Sequence, residues 1–499
     1  MEKESLSLGQ QLIRGGFALS MAKLATRALG VISALTVPRW LGPEEMGLFA
    51  VAMLAIAALH AFTESGFSSA FMQRKVDFEQ YIEPVRTFNL LRGFAMGGII
   101  FLSAPYVANF MNAPRSENVL KALAISPVLT GAIPMIWTLA SKRLRFAYLA
   151  KYNVGMTVLN LVITVPLAWY LKNVWALVWG LLIASSIDVV ISSFLSREGR
   201  GFTTNLSPLK DLRAFGFWIF LTCIISYFYI NGGNWIIGRL LDVQSLAVYT
   251  LAFKFSTMFT GEAASIISQM TLPVFSHLQD DLPRLREGFR KSFGILAMIT
   301  VGVGVFFCVA ARDYFVIVLE DKWSDYTTLF NHLLPWLALW GICSALAGAQ
   351  TGVFQALGKP KWWMWTVVVM CLLMVILLWP AVHFFGAVGV AGLLGGIAAT
   401  MQIVRYILLG RMLQLRFSEV SAHVVVPAFA GILAVTVSTS IRGHFTANIW
   451  GQAFLANGVV VLFYIAALLA FSRYIYPNPA YLIGNLKGAI IGKLRESFG

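Results

Sequence analysis

Apolar runs of about 20 residues, each long enough to cross a bilayer core as a helix, recur from residue 15 to residue 472 and are separated by short polar stretches. Breaking these runs at Pro, Gly and charged clusters predicts fourteen spans. They lie near 15–37, 46–72, 85–108, 118–140, 150–170, 174–196, 214–238, 245–272, 290–312, 326–357, 362–383, 386–409, 421–441 and 453–472. The expected fold is an all-α polytopic membrane protein: two pseudo-symmetric six-helix lobes around a central cavity (1–213 and 214–415), two additional helices (416–475) and a cytoplasmic tail (476–499). In that tail Leu482, Leu486, Ile490 and Leu494 share one stripe while Lys487, Lys493 and Arg495 lie elsewhere. Such a helix is expected to rest on the membrane surface.

Composition agrees with the pattern. Hydrophobic residues make up 58% of the chain, charged residues 12%, and mean hydropathy is +0.74; soluble domains are about a quarter charged. The N-terminus, MEKESLSLGQQLIRGG, lacks the short apolar core and cleavage site of a signal peptide and is expected to be retained. Cys223, Cys308, Cys343 and Cys371 stand singly among apolar residues, a pattern of small buried side chains rather than of metal ligands.

The net charge of +15 first suggests nucleic acid. Alternating loops across fourteen spans explains it better, because basic clusters gather on one side: Arg74/Lys75/Arg86/Arg92, Lys142/Arg143/Arg145/Lys151, Arg197/Arg200/Lys210/Arg213 and Arg284/Arg286/Arg290/Lys291. The opposite side carries only Arg39, Arg115, Lys172, Arg239, Arg312, Lys322 and Arg442. The positive-inside rule then places both termini in the cytoplasm and leaves no need for a nucleic-acid ligand.

A repeat underlies the spans. RWLGPEEMGLFAVAM (39–53) aligns with RLLDVQSLAVYTLAF (239–253), matching Arg39 to Arg239, Leu41 to Leu241 and Ala52 to Ala252. TVPLAWYLKNVWALVWGLL (164–182) matches LWPAVHFFGAVGVAGLLGG (378–396) more weakly. Parallel repeats of this kind place a substrate path between halves, near the midplane.

Charges inside the spans are the candidate chemistry. In the first span Ser20, Lys23, Arg27, Gly30 and Ala34 fall on one face. A cation at a helix centre costs about 2.5–3.5 kcal/mol on insertion scales, so two of them require a counter-charge or a wet cavity. Glu64 and Asp188 lie at similar depth and could serve as counter-charges. Lys254 and Glu262 give the second half its own charges, and Arg290 stands at the mouth of span 9. A cationic chamber suits a diphosphate. YFYINGGNW places Asn231, Gly232, Gly233 and Asn234 in span 7, which is expected either to weaken that helix where amides can meet sugar hydroxyls or simply to allow a packing kink. Gly93 and Gly97 fit close helix packing. Lys121 lies close enough to the end of span 4 to snorkel. The sequence has no HExxH, GxxxxGK[ST] or GxSxG motif, and its six histidines are dispersed; no enzyme, cofactor or metal is expected.

The RxLGP turn at Arg39–Pro43 and the ESGFSSAFMQRK segment at Glu64–Lys75 resemble Wzx-type polysaccharide-unit flippases of the multidrug/oligosaccharidyl-lipid/polysaccharide exporter superfamily. The resemblance implies ion-coupled alternating access that moves undecaprenyl-diphosphate-linked oligosaccharides from the cytoplasmic to the periplasmic leaflet of a bacterial inner membrane, for exopolysaccharide, capsule or O-antigen synthesis. Lys23 and Arg27 match the family's cavity cations; Lys254 and Arg290 match less closely. Glu64, Asp188 and Glu262 become candidates for coupling to protons or sodium. Arg39 and Arg239, at corresponding outer ends, become candidate gate residues, with interface anchoring as the plainer role. Polysaccharide polymerase and export machinery are candidate partners. Three alternatives share parts of this pattern: a flippase for the lipid-linked peptidoglycan precursor, a cation-driven drug exporter, and a membrane glycosyltransferase or polymerase using Asp313, Glu320, Asp321 and Asp325 in the RDYFVIVLEDKWSDY loop.

Overall fold

Proline and glycine set the boundaries of helices whose interiors are almost uniformly apolar. The computed structural model describes residues 8–64, 78–143, 145–196, 201–258, 260–261, 275, 281–415, 417–442 and 449–475. Among these residues the chain is helical with no strands, and its crossings number about fourteen. The first six crossings are α1 (Leu8–Trp40), α2 (Pro43–Thr63), α3 (Ile82–Phe110), the three-piece set α4 (Ser116–Leu123), α5 (Ile125–Ala132) and α6 (Ile136–Lys142), then α7 (Phe146–Leu171) and α8 (Trp175–Leu195). They are followed by α9 (Arg213–Leu240), α10 (Val243–Thr257), α11 (Leu282–Val318), the short α12 (Glu320–Trp323), α13 (Thr327–Ala356), α14 (Pro360–Leu413), α15 (Phe417–Arg442) and α16 (Ile449–Ile475).

Two of the breaks have clear causes. The fourth crossing divides because Pro127 lies in the first turn of α5 and Pro134 forces the preceding Ile133 into an extended conformation (ψ 125°). α14 is two crossings joined at Gly386, whose φ of 59° and ψ of −146° belong to a region open only to glycine. The apolar pattern divides two spans at this same point.

By contact, the chain forms two compact units. One comprises 1–254, 314–333 and 367–397; the other comprises 255–313, 334–366 and 398–499. In the first, α3 and α5 meet almost backbone to backbone. A Cβ on Gly93 would stand 2.5 Å from the Pro127 carbonyl oxygen, and one on Gly97 would stand 2.6 Å from that of Ala124. Gly93→Ala is therefore expected to destabilise the protein by about 1–3 kcal/mol, because a backbone carbonyl cannot step aside. A lower thermal unfolding midpoint in detergent checks this.

In the second unit, Phe289, Phe293, Leu296, Val353, Phe354 and Leu409 form the main core. The terminal helices pack on α11 through Val301, Ala430, Ala434 and Val460. Tyr464 fixes that packing by donating its hydroxyl to the Met298 carbonyl (2.7 Å).

The repeat has a physical counterpart. α1 ends at Trp40 and α2 begins at Pro43; α9 ends at Leu240 and α10 begins at Val243, the same break 200 positions later. The two breaks also touch, since a Cβ on Gly47 would run into the Val243 carbonyl oxygen.

One expectation is corrected. The Asn231–Asn234 stretch does not interrupt the helix: α9 runs unbroken from Arg213 to Leu240. Gly233 serves packing, because its missing Cβ leaves room for Val390, whose Cγ1 would lie 2.5 Å away. The amphipathic tail, Glu262 and the ESGFSSAFMQRK residues after Glu64 lie outside the described residues.

Candidate functional site

The first unit is sealed at the end where α1 stops and α2 starts. Helix ends leave carbonyls without intrahelical partners, and here aromatic and basic side chains satisfy them. Trp323, fully buried, donates its indole N–H to the carbonyls of Pro38 (3.0 Å) and Leu41 (3.1 Å). Lys322 Nζ donates to the Trp40 carbonyl (2.5 Å), and the Tyr314 hydroxyl donates to that of Leu35 (2.7 Å). Phe315 packs between Trp323 and Phe330, 4.1 Å from the latter ring. The segment 312–326, expected as an open external loop, is instead folded into the end of α11, α12 and a short 3-10 turn, with Trp323 as a plug.

Of the two candidate gate residues, Arg239 makes the defined interactions. It donates to the Phe110 carbonyl and to Asn112 Oδ1, each at 3.0 Å, and lies over the Phe110 ring. Asn112 returns a hydrogen bond to the Arg239 carbonyl. Arg39 is exposed in the last turn of α1. Nearby, Arg115 bridges Glu44 (2.5 Å) and Glu45 (2.7 Å), while the Val174 N–H donates to Glu45. The hydrogen bonds to Glu45 and then Glu44 raise the Arg115 pKa further. Being half exposed, this cluster is worth little. Arg115→Ala is expected to change transport less than about fivefold and to shift the unfolding midpoint only slightly; a transport assay and a melting curve check it.

Beneath this seal is a cavity of about 430 Å³. Ser33, Ala34 and Val37 of α1, Met53 and Leu54 of α2, Asn231 and Asn234 of α9 and Lys254 of α10 line it. α9 is held to α2 by the Tyr227 hydroxyl, which donates to the Leu54 carbonyl (2.9 Å) and accepts from Trp235. Asn234 donates to Asn231 Oδ1 (3.3 Å), while its own Oδ1 is buried without a partner. Lys254 is surrounded by protein yet its side chain is exposed, the condition of a group facing a chamber. Among the described residues, the charge acting on Lys254 is that of Arg27.

Arg27 and Lys23 share a helix face with Ala34, about 10 Å and 16 Å farther along α1 at 1.5 Å per residue. Arg27 is exposed and Lys23 half-buried. Two amides, a lysine and an arginine within its field make a chamber able to hold an anion and to hydrogen-bond hydroxyls.

The acidic candidates sit elsewhere. Glu64 caps α2 and pairs with Arg92 (3.5 Å), which also donates to Thr63 Oγ1 and the His60 carbonyl. Asp188 accepts a hydrogen bond from Tyr152. Lys121 pairs with Glu117 one turn away (2.6 Å) and lies near the Phe101 ring, a structural arrangement. In the second unit Arg290 is half-buried in the first turns of α11.

Two buried arginines are not foreshadowed by the sequence pattern. Arg86 lies 4.4 Å from the Phe202 ring, and Arg405 lies 4.4 Å from that of Trp363 while donating to Thr366 Oγ1. Both rings are remote in sequence from the cations they cover, so spacing gives no signal.

Comparison with known proteins follows the same lines. Residues 36–328, more than half of the chain, match the family described as polysaccharide biosynthesis protein. The lipopolysaccharide biosynthesis protein WzxC of Escherichia coli (strain K12) is 21% identical over 71% of this chain and 70% of its own length. The teichuronic acid biosynthesis protein TuaB of Bacillus subtilis (strain 168) is 22% identical over 77% and 80%. Among solved structures, the lipid II flippase MurJ in an inward closed conformation superposes with a TM-score of 0.74 at 13% identity, over 92% of this chain and 99% of that one. An inward-facing multidrug resistance MATE transporter of the MOP superfamily reaches 0.59 at 16% identity, over 81% and 99%.

Proposed function

The chain belongs to the polysaccharide biosynthesis protein family, and on that premise we propose that it flips lipid-linked oligosaccharide units, carried on undecaprenyl diphosphate, from the cytoplasmic to the periplasmic leaflet of a bacterial inner membrane. The observation that carries this reading is the cavity beneath the seal, with Lys254, Asn231 and Asn234 in its wall. The gathering of basic loops on one side supports a cytoplasmic position for both termini. The sealed end, with Arg39, Arg115, Arg239 and Lys322, then faces the periplasm.

Lys23 and Arg27 draw the diphosphate along α1 toward Lys254. A cation in a concave low-dielectric site gains more from an arriving anion than it would in water. Asn231 and Asn234 then meet sugar hydroxyls, and the unpartnered Oδ1 of Asn234 is an acceptor waiting for a donor. Release requires the Trp323 plug and the Arg239–Asn112 pair to open. Glu64 and Asp188, with Glu262, are the groups through which a proton or sodium gradient would drive the cycle, and Arg290 is a further candidate cation for the diphosphate. The peptidoglycan-precursor alternative uses the same charge logic; relatives named for lipopolysaccharide and teichuronic acid synthesis favour the polysaccharide unit.

Proteoliposomes carrying a fluorescent undecaprenyl-diphosphate oligosaccharide test this. Faster loss of inner-leaflet label than in empty vesicles is expected. Equal rates overturn the reading.

A further inference from the structure

A second cavity, of about 550 Å³, is separate from the one in which substrate chemistry is proposed above. It lies within the second unit, walled by α11, α13, the second half of α14 and α15. Its walls are mostly apolar; the polar side chains in them are Thr436, whose hydroxyl donates to the Leu433 carbonyl, and Gln402 and Tyr406, one turn apart on the same helix. Gln402 is 4% exposed and Tyr406 8%. The amide comes close to the hydroxyl, yet neither Gln402 polar atom nor the Tyr406 oxygen finds an aligned hydrogen-bond partner. One turn beyond the lining residue Leu346, Gln350 buries a second carboxamide with both polar atoms unpartnered. Buried polar groups in this state cost free energy unless something satisfies them. In hydrocarbon the cost is highest, because no bulk water reaches them.

We propose that this cavity binds a bilayer glycerolipid, with one acyl chain in the apolar chamber and an ester carbonyl accepting from Gln402 and Tyr406. Three observations carry the assignment. Ile403 and Ile432 line the cavity and are also exposed, so its mouth opens on the face where lipid chains lie. Tyr406 lies seven residues before the end of α14 at Leu413, or about 10 Å along the helix, a depth that an ester at the edge of a hydrocarbon core about 30 Å thick can reach. Finally, the polar pair discriminates between lipids. A polyprenyl chain is hydrocarbon throughout and would leave the amide and phenol unpaired, whereas an ester supplies the missing acceptor. The site is thus distinct in chemistry from any that holds the polyprenyl tail of a transported substrate, and it does not depend on the substrate assignment.

The test purifies the full chain in mild detergent and measures co-purifying lipid per protein by mass spectrometry after extraction. Wild type is compared with Gln402→Leu/Tyr406→Phe, which removes the donors, and with Ala428→Phe, which fills the chamber and leaves the donors in place. Retained glycerolipid near one per chain in wild type, falling about tenfold in both variants while gel-filtration profiles stay monodisperse, is the expected result. A second measurement uses added phosphatidylglycerol, which should raise the unfolding midpoint of wild type and not of either variant. Equal glycerolipid retention in all three proteins, recovery of polyprenyl lipid alone, or no bound lipid in wild type overturns the proposal. Should one variant aggregate, the other and the midpoint shift decide it.

Discussion

Lys254→Ala is expected to slow flipping of the diphosphate-linked oligosaccharide by ten- to more than a hundredfold, with protein level and unfolding midpoint little changed. The magnitude is that of removing one charged donor from the diphosphate. A hydrogen bond to a charged group contributes about 1.5–3 kcal/mol, and each 1.4 kcal/mol is a factor of ten. Stability should hardly fall, because Lys254 faces a chamber and removing it relieves a like-charge encounter with Arg27. Lys254→Arg should recover most of the rate, since the cation is kept while its shape changes. The proteoliposome assay reads these rates, and in cells the same variant should accumulate lipid-linked intermediate on the cytoplasmic side. The first-span pair Lys23→Ala/Arg27→Ala should act in the same direction.

Trp323→Ala should have the largest structural effect of any single change. It removes a fully buried indole from the seal and leaves the Pro38 and Leu41 carbonyls without their donor. Truncating a buried Trp costs about 3–5 kcal/mol through weakened packing and cavity formation. The damage falls at one end of one unit, so opening of the seal is expected before global unfolding. A cysteine reporter distinguishes the two. With Cys223, Cys308, Cys343 and Cys371 replaced, Asn234→Cys should react slowly with a membrane-impermeant thiol reagent added from the periplasmic side. Trp323→Ala should speed that reaction by at least an order of magnitude. Unchanged labelling together with a lowered midpoint would mean that Trp323 supports stability alone.

Much of the architecture was legible because the bilayer enforces it. A helix must hide its backbone from hydrocarbon, so apolar runs of the right length became crossings, and Gly386 divides two of them where its backbone permits; the break at Pro134 falls inside a run read as one span, 118–140. The 39–53 and 239–253 repeat proved to be the same helix break, and the two copies pack together through Gly47. The site was legible in part. Lys254, Asn231 and Asn234 stood out as polar residues in apolar spans, and the cavity gathers them.

What could not be read was pairing across sequence distance. Gly232 and Gly233 looked like a weak point in α9, but glycine inside a helix also permits close approach, and Val390 occupies that space. Nothing in the RDYFVIVLEDKWSDY loop marked Trp323 for burial; its indole partners are carbonyls more than 280 positions earlier. Asp188 looked like a free counter-charge, and its acceptor role toward Tyr152 depends on how α7 meets α8.

Photo-crosslinking tests the central claim most directly. A benzophenone amino acid at Phe49, which lines the Lys254 cavity, is compared with one at Phe454, exposed on α16, in cells making labelled lipid-linked oligosaccharide. The expected result is an adduct to the diphosphate-linked oligosaccharide at Phe49 that disappears with Lys254→Ala. Crosslinking confined to Phe454, or a Phe49 adduct indifferent to Lys254, would contradict the account.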